Sequence, residues 1–143
     1  MKKASVVGYF SRYKDLGPNN LSCIVVFPAH QKKGYGKFLI ELSYYFSRKE
    51  KRISTPELPL SESGRILYLS YWKQTLIKKL SQIYTTAGTK SKAMVELKKQ
   101  LCGSLNPVRD LSRETFITEV DVATTLKDLR LMKYYKGQSI LAH

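Results

Sequence analysis

A loop with two glycines is the sequence feature that most constrains the fold of this chain. It reads Gln31-Lys32-Lys33-Gly34-Tyr35-Gly36-Lys37. A run typical of a β-strand precedes it at residues 21–27, and a run typical of an α-helix begins at Phe38. Two glycines one residue apart let the backbone turn tightly with its N–H groups directed inward, and the N-terminus of the following helix attracts anions. The sequence therefore predicts a strand–loop–helix unit that binds phosphate, assisted by the flanking lysines.

The type of phosphate loop follows from the residues around the glycines. Phe38 stands where a Walker loop needs Ser or Thr, and the third glycine of the dinucleotide fingerprint is absent. The spacing instead resembles the Q-x-x-G-x-G pyrophosphate loop of acetyl-CoA-dependent N-acetyltransferases. This resemblance predicts acetyl-CoA as the phosphate-bearing ligand.

The remaining pattern alternates strands with helices. Residues 5–11 are typical of a strand that pairs with residues 21–27 as a hairpin, and two prolines hold residues 53–60 extended. Helices are predicted after residue 60, at 93–101, at 111–116 and at 119–131, followed by a hairpin that turns at 136–138. The fold class is therefore mixed α/β (α+β). A length of 143 residues with 43% hydrophobic residues suffices for a real core.

Several separated blocks resemble the MYST family of histone acetyltransferases. Two of them read Asn20-Leu21-Ser22-Cys23-Ile24-Val25 and Thr55-Pro56-Glu57-Leu58-Pro59-Leu60-Ser61, and the others are residues 31–40, 70–72 and 132–138. The resemblance covers residues 6–80 and 111–141. It implies a GNAT-like acyl-CoA N-acyltransferase core at residues 1–104 and a winged-helix-like C-terminal segment at 105–143. It also implies that the chain corresponds to the C-terminal part of the catalytic domain, without the zinc-finger portion that precedes it in the family.

The same resemblance implies a set of cofactor-binding residues. The backbone of Ile24, Val25 and Val26 is expected to pair with the pantetheine arm of acetyl-CoA, in the way that a strand adds to a sheet edge. The loop from Gln31 to Lys37 is expected to hold the pyrophosphate. Ser61 and Ser70 lie where the family contacts the cofactor, although most serines at such positions are helix caps or surface residues.

Two residues are candidates for the chemistry. Lysine acetylation requires a neutral amine, whereas the ordinary pKa of a lysine ammonium is about 10.4, so a base must remove a proton. By resemblance Glu57 is that base; without the resemblance, a solvated surface carboxylate would be the expected role. Cys23 matches the family's active-site cysteine, but a cysteine on a strand is also typical of a buried, inert position. We expect direct attack of the amine on the thioester rather than transfer through Cys23.

The net charge of +14 favours an anionic partner such as nucleic acid, an acidic protein surface or a phosphate-rich cofactor. The leading hypothesis is a lysine N-acetyltransferase that acts in the nucleus on histone tails or another chromatin protein, as one of the subunits of an acetyltransferase complex, with possible contact to nucleosomal DNA. The alternative is a weak or inactive relative that serves as a chromatin- or nucleic-acid-binding subunit. A small-molecule N-acetyltransferase would keep the loop but would not need residues 55–61.

Other classes are not favoured by the sequence. Cys23 and Cys102 are too far apart in sequence for a paired metal-ligand spacing, so no metal is expected in this chain. The longest apolar runs fall well short of the roughly 20 residues of a membrane-spanning helix, so we expect a soluble chain without a membrane partner.

Overall fold

The computed structural model of the chain describes residues 4–14, 17–85, 106–135 and 138–141. It separates into two compact units, Met1–Tyr71 and Trp72–His143. Both helices and strands are present, which confirms the mixed α/β class. The helix expected at 93–101 lies outside the described residues, and the domain boundary between residues 104 and 105 stays a prediction.

Residues 4–14 and 17–71 of the first unit form four strands, one 3-10 turn, one helix and the start of a second. They are β1 (Gly8–Ser11), β2 (Asn19–Leu21), β3 (Cys23–Val26), the 3-10 turn Pro28–His30, α1 (Tyr35–Lys49), β4 (Thr55–Pro56) and the first part of α2 (Glu62–Thr85). β1 and β3 are antiparallel, with a register that runs from Gly8 opposite Val26 to Ser11 opposite Cys23. β2 and β4 form a separate parallel pair.

The strand expected at residues 21–27 is broken at Ser22. The Ser22 N–H donates to the carbonyl of Ser11 over 2.8 Å, while Ser11 is also the register partner of Cys23. Two residues of one strand therefore oppose one residue of the other, which is the arrangement of a β-bulge. The bulge separates β2 from β3, so the two halves of one apolar run join different sheets.

Helix α1 carries the core of the first unit. It begins at Tyr35, three residues before the expected start, because the loop residues from Tyr35 to Lys37 already form its first turn. Tyr44 is fully buried, and its ring stacks on Tyr71 of α2 at a centroid distance of 4.8 Å. Tyr68, also fully buried, meets Tyr44 edge to face at 6.4 Å. These aromatic contacts fix α1 against the start of α2.

In the described part of the second unit, the rest of α2 is followed by four further elements. They are α3 (Pro107–Thr115), α4 (Glu119–Asp128), β5 (Met132–Tyr135) and β6 (Gln138–Leu141). Asn106 caps α3, and Thr118 caps α4. The strands form the expected antiparallel hairpin, whose turn at residues 136–137 lies outside the described residues.

The core of the second unit is built mainly from apolar side chains. Leu111, Ile117, Val122 and Leu126 are fully buried, whereas Leu129, expected on the same face as Val122 and Leu126, is only half-buried because α4 ends at Asp128. Lys79 of α2 and Glu114 of α3 form an ion pair of 2.7 Å. The described elements follow the order helix, turn, helix, hairpin, and the winged-helix-like character of residues 105–143 stays a prediction.

Candidate functional site

An open cavity of about 490 Å³ lies in the first unit, where β3, the glycine loop, the N-terminus of α1 and the start of α2 meet. Its lining residues are Ile24, Val26, His30, Gln31, Lys32, Gly34, Tyr35, Gly36, Lys37, Ser61, Ser63, Gly64, Ile66 and Leu67. Most of the residues predicted to bind the cofactor are among them. The sequence-predicted loop and strand therefore do face one common space.

Three predicted cofactor residues do not line this cavity. Val25 lies on β3 between two residues that do. Lys33 donates from Nζ to the carbonyl of Ala29 over 3.1 Å and lines a second cavity of about 470 Å³ on the other side of the loop. Ser70 is half-buried on α2, well past the part of that helix that borders the cavity.

The glycine loop ends in an uncapped helix N-terminus. Gly34 is the N-cap residue of α1 and adopts the left-handed conformation with a φ of +88°, and no side chain makes a capping hydrogen bond there. The first internal bond of the helix runs from the Phe38 N–H to the Gly34 carbonyl at 3.0 Å. No acidic residue lies in the first turn. The N–H groups and the positive end of the helix dipole can therefore receive an anion.

Gly36 brings α1 close to α2. A β-carbon added at Gly36 would lie 3.0 Å from Cδ1 of Leu67 and 4.0 Å from Cγ2 of Val26. The first of these separations is tighter than ordinary van der Waals contact. The second glycine of the loop thus serves close packing, whereas the first serves the backbone turn.

One edge of β3 is open within the described chain. The Phe27 N–H donates to the Val7 carbonyl over 3.0 Å, so alternate residues of β3 direct their main-chain groups toward β1, and those of Ile24 and Val26 point away from it. No other described strand pairs with β3. The Gln31 side chain donates from Nε2 to the Val26 carbonyl over 3.0 Å, which ties the loop to this edge.

Glu57 and Cys23 lie near the bulge, although neither lines the cavity. The Glu57 N–H donates to the Leu21 carbonyl over 2.9 Å, and its side chain is half-buried. This hydrogen bond holds Glu57 next to Leu21, which precedes Cys23 by two residues. The two candidate residues are therefore connected to the same short stretch of backbone. Cys23 is free and exposed at the start of β3, next to the bulge, so it does not occupy the buried, inert position that is common for a cysteine on a strand.

Ser61 has the role that most serines have at the start of a helix. Its Oγ accepts a hydrogen bond from the Gly64 N–H over 3.1 Å and caps α2, while the residue also lines the cavity. Sequence reasoning missed Ser63, Gly64, Ile66 and Leu67, which line the cavity because α2 packs against the loop. His30 is also absent from the predicted site residues, yet it lines the cavity and meets the Tyr35 ring edge to face at 6.4 Å.

Two kinds of feature are absent from the residues that the structure describes. Across the described ranges, His, Cys, Asp and Glu form no group of three or more that could hold a metal ion. In the same part of the chain, no helix has the length and apolar character needed to cross a membrane.

The sequence matches the MOZ/SAS family over residues 1–143, and the chain belongs to that family. Three curated relatives are named as histone acetyltransferases, and each aligns with 95% of this chain: MOF of Drosophila melanogaster at 41% identity, the Tip60 homolog of Caenorhabditis elegans at 40%, and ESA1 of Saccharomyces cerevisiae at 38%. These similarities confirm the resemblance to MYST histone acetyltransferases. The aligned region is 14%, 27% and 26% of the length of those relatives, respectively.

Proposed function

We propose that this chain forms the acetyl-CoA-binding part of a protein lysine N-acetyltransferase. The observation that carries the proposal is the uncapped N-terminus of α1, which opens with Lys32 and Lys37 into the cavity beside the open edge of β3. Such a site suits a ligand that combines a diphosphate with an extended amide-containing arm. The names of the curated relatives, which are histone acetyltransferases, support acetyl transfer as the class of reaction.

Acetyl-CoA would lie along the strand and across the loop. Its diphosphate would accept hydrogen bonds from the backbone around Gly34 and Gly36, with the lysines adding charge attraction. The pantetheine amides would bind the outward main-chain groups of Ile24 and the N–H of Val26, whose carbonyl already accepts from the Gln31 side chain. Val25 would contribute less than predicted, because its main-chain groups face β1. This arrangement is that of a GNAT-like core.

Glu57 would act as the general base. Its carboxylate would take one proton from the substrate ammonium, after which the neutral nitrogen attacks the thioester carbonyl. The C–S bond then breaks, and the leaving CoA thiolate takes the second proton from the nitrogen, which gives the amide and the CoA thiol. Support comes from the half-buried side chain and from the backbone bond to Leu21, which holds Glu57 near the bulge. Cys23 is exposed at the same bulge, and we retain direct attack as the route, with Cys23 as a neighbour of the reacting groups rather than an acetyl carrier.

The substrates would be histone tails or other lysine-bearing chromatin proteins in the nucleus, with the chain acting as part of a larger acetyltransferase complex. The relatives' names support histones as the substrate class. A chain with a net charge of +14 repels a lysine-rich tail, so acidic residues near Glu57 or elsewhere in the assembly must receive it.

The test compares Glu57→Gln with Glu41→Gln, a matched change of an exposed carboxylate on α1. Loss of a general base lowers turnover by about 10²–10⁴-fold. We therefore expect Glu57→Gln to lose at least about 100-fold in kcat on a histone-tail peptide, whereas the calorimetric Kd for acetyl-CoA is retained and Glu41→Gln has the activity of the parent. Unchanged turnover in Glu57→Gln would remove Glu57 from the mechanism.

The charge of +14 favours one second candidate, a weak or inactive relative that binds chromatin or nucleic acid. Duplex DNA binding with a steep salt dependence, together with no acetyl transfer by the parent protein, would support that candidate over the enzyme.

A further inference from the structure

A buried hydrogen bond between two serines ties the segment before Glu57 to helix α1. Ser54 donates from Oγ to Oγ of Ser47 over 2.7 Å, and both residues are fully buried. Ser47 in turn donates to the carbonyl of Ser43 over 3.2 Å. Ser54 immediately precedes β4, and Glu57 follows the end of β4.

The segment that leads to Glu57 forms only a short strand. β4 has only two residues, and Pro56 has no N–H group to donate. On the β2 side, the Thr55 N–H donates to the Pro18 carbonyl at 3.1 Å and the Glu57 N–H donates to the Leu21 carbonyl at 2.9 Å. On the α1 side, the Arg52 N–H donates to the Ser47 carbonyl at 2.9 Å, and the Ser47–Ser54 bond adds a side-chain contact two residues closer to Glu57.

A hydroxyl pair is an unusual choice for a fully buried position. Two apolar side chains of similar size would fill the space without desolvating two hydroxyls, and such replacements are often close to neutral in stability. A hydrogen bond differs from apolar contact because it fixes both a distance and a direction. The N-terminus of the same α1 borders the proposed acetyl-CoA cavity. The serine pair thus connects the helix of the cofactor site to the strand that leads to the proposed base.

We propose that Ser47 and Ser54 are positioning residues, which hold Glu57 at a fixed place relative to the cofactor helix. The inference rests on the proposed function, since it assigns the positioned carboxylate to the reaction. It concerns placement alone, because neither serine lines the cavity.

The test uses the double variant Ser47→Ala/Ser54→Ala, since a single replacement would leave a buried hydroxyl without its partner. Ser43→Ala is the matched control: Ser43 lies on the same helix and is equally buried, but its hydroxyl donates to the Ile40 carbonyl of its own helix over 2.7 Å. Two kinds of measurement are made on the whole chain: the hydrogen-exchange rate of the Glu57 amide, and steady-state kinetics that give kcat and the KM for acetyl-CoA.

We expect the double variant to exchange the Glu57 amide at least about tenfold faster and to lose about tenfold or more in kcat, because small displacements of reacting groups are costly. The KM for acetyl-CoA should stay within about twofold of the parent, since the loop on α1 is untouched. Ser43→Ala should change neither quantity. An unchanged Glu57 exchange rate, an unchanged kcat in an active protein, or equal effects in Ser43→Ala would each overturn the proposal.

The two readouts separate this inference from the function on which it rests. If the parent transfers no acetyl group, the proposed function fails, and exchange at Glu57 still decides whether the serine pair holds the segment. If the parent is active and the double variant keeps its kcat, the positioning role fails while the enzyme assignment stands.

Discussion

Gly34→Ala tests the backbone geometry of the proposed phosphate site. Gly34 has a φ of +88°, and a β-carbon built there meets no atom within 4 Å. The alanine therefore adds no clash, and its whole effect is the cost of placing a residue with a side chain in the left-handed region, about 1–2 kcal/mol. If the loop relaxes away from this conformation, the N–H groups at the start of α1 turn away from the cavity. Recovering them on binding would then lower the affinity for acetyl-CoA by about 5–30-fold.

The assay is calorimetric titration with acetyl-CoA alongside urea unfolding. Gly34→Asn is the control, because asparagine tolerates the left-handed region better than alanine, so its affinity should fall between those of glycine and alanine. Equal affinity and equal stability in the parent and Gly34→Ala would show that the positive φ contributes nothing. Equal losses in the alanine and asparagine variants would assign the effect to side-chain bulk instead.

Two further predictions concern stability. Lys51 has a φ of +53° in a Schellman-type end of α1, where its N–H donates to the Arg48 carbonyl at 3.1 Å. Because glycine adopts this conformation without strain, Lys51→Gly should raise the free energy of unfolding in urea by about 0.5–1 kcal/mol. A lower urea midpoint in Lys51→Gly than in the parent would contradict this prediction. The pKa of Glu50 lies below its ordinary value, chiefly because Arg12 donates hydrogen bonds to its carboxylate. The nearby positive charges of Arg12 and Arg52 lower this pKa further. A depressed folded pKa stabilises above the unfolded pKa and loses that contribution as the pH falls through the folded value. The stability difference between parent and Glu50→Gln should therefore shrink from pH 7 to about pH 3, and a constant difference would refute the coupling.

The parts of the fold that sequence predicts are those set by local chemistry. The helix after the glycine loop follows from periodicity, and α4 follows from apolar residues such as Val122 and Leu126 at helical spacing, both of which are fully buried. The break at Ser22 could not be predicted this way. The break depends on two pairings: Ser11 lies opposite two residues at once, and Asn19 pairs with Thr55 in parallel. Both pairings are long-range, and neither changes the apolar pattern of residues 21–27.

The same distinction holds for the candidate site. The loop from Gln31 to Lys37 can be read locally, because glycine spacing and a helix start determine where N–H groups point. The contribution of α2 cannot, because Leu67 reaches the cavity only through its close approach to Gly36. Helical periodicity places Leu67 on the apolar face of α2 but does not predict which part of the chain that face contacts.

The bulge at Ser22 also gives the proposed chemistry its geometry. In an unbroken strand over residues 21–27, both halves of the strand would belong to the sheet of β1. Leu21 would then not pair with the segment of Glu57. With the break, the Leu21 carbonyl accepts the Glu57 N–H, while Ile24 and Val26 keep an open edge beside the glycine loop. In the proposed mechanism, the base follows β4 of the β2–β4 pair and the thioester binds along β3 of the β1–β3 pair. The bulge at Ser22 is the point in the chain where these two sheets separate. On the proposed function, the short distance along the backbone from Leu21 to Ile24 is what lets a base on one sheet serve a cofactor bound to the other.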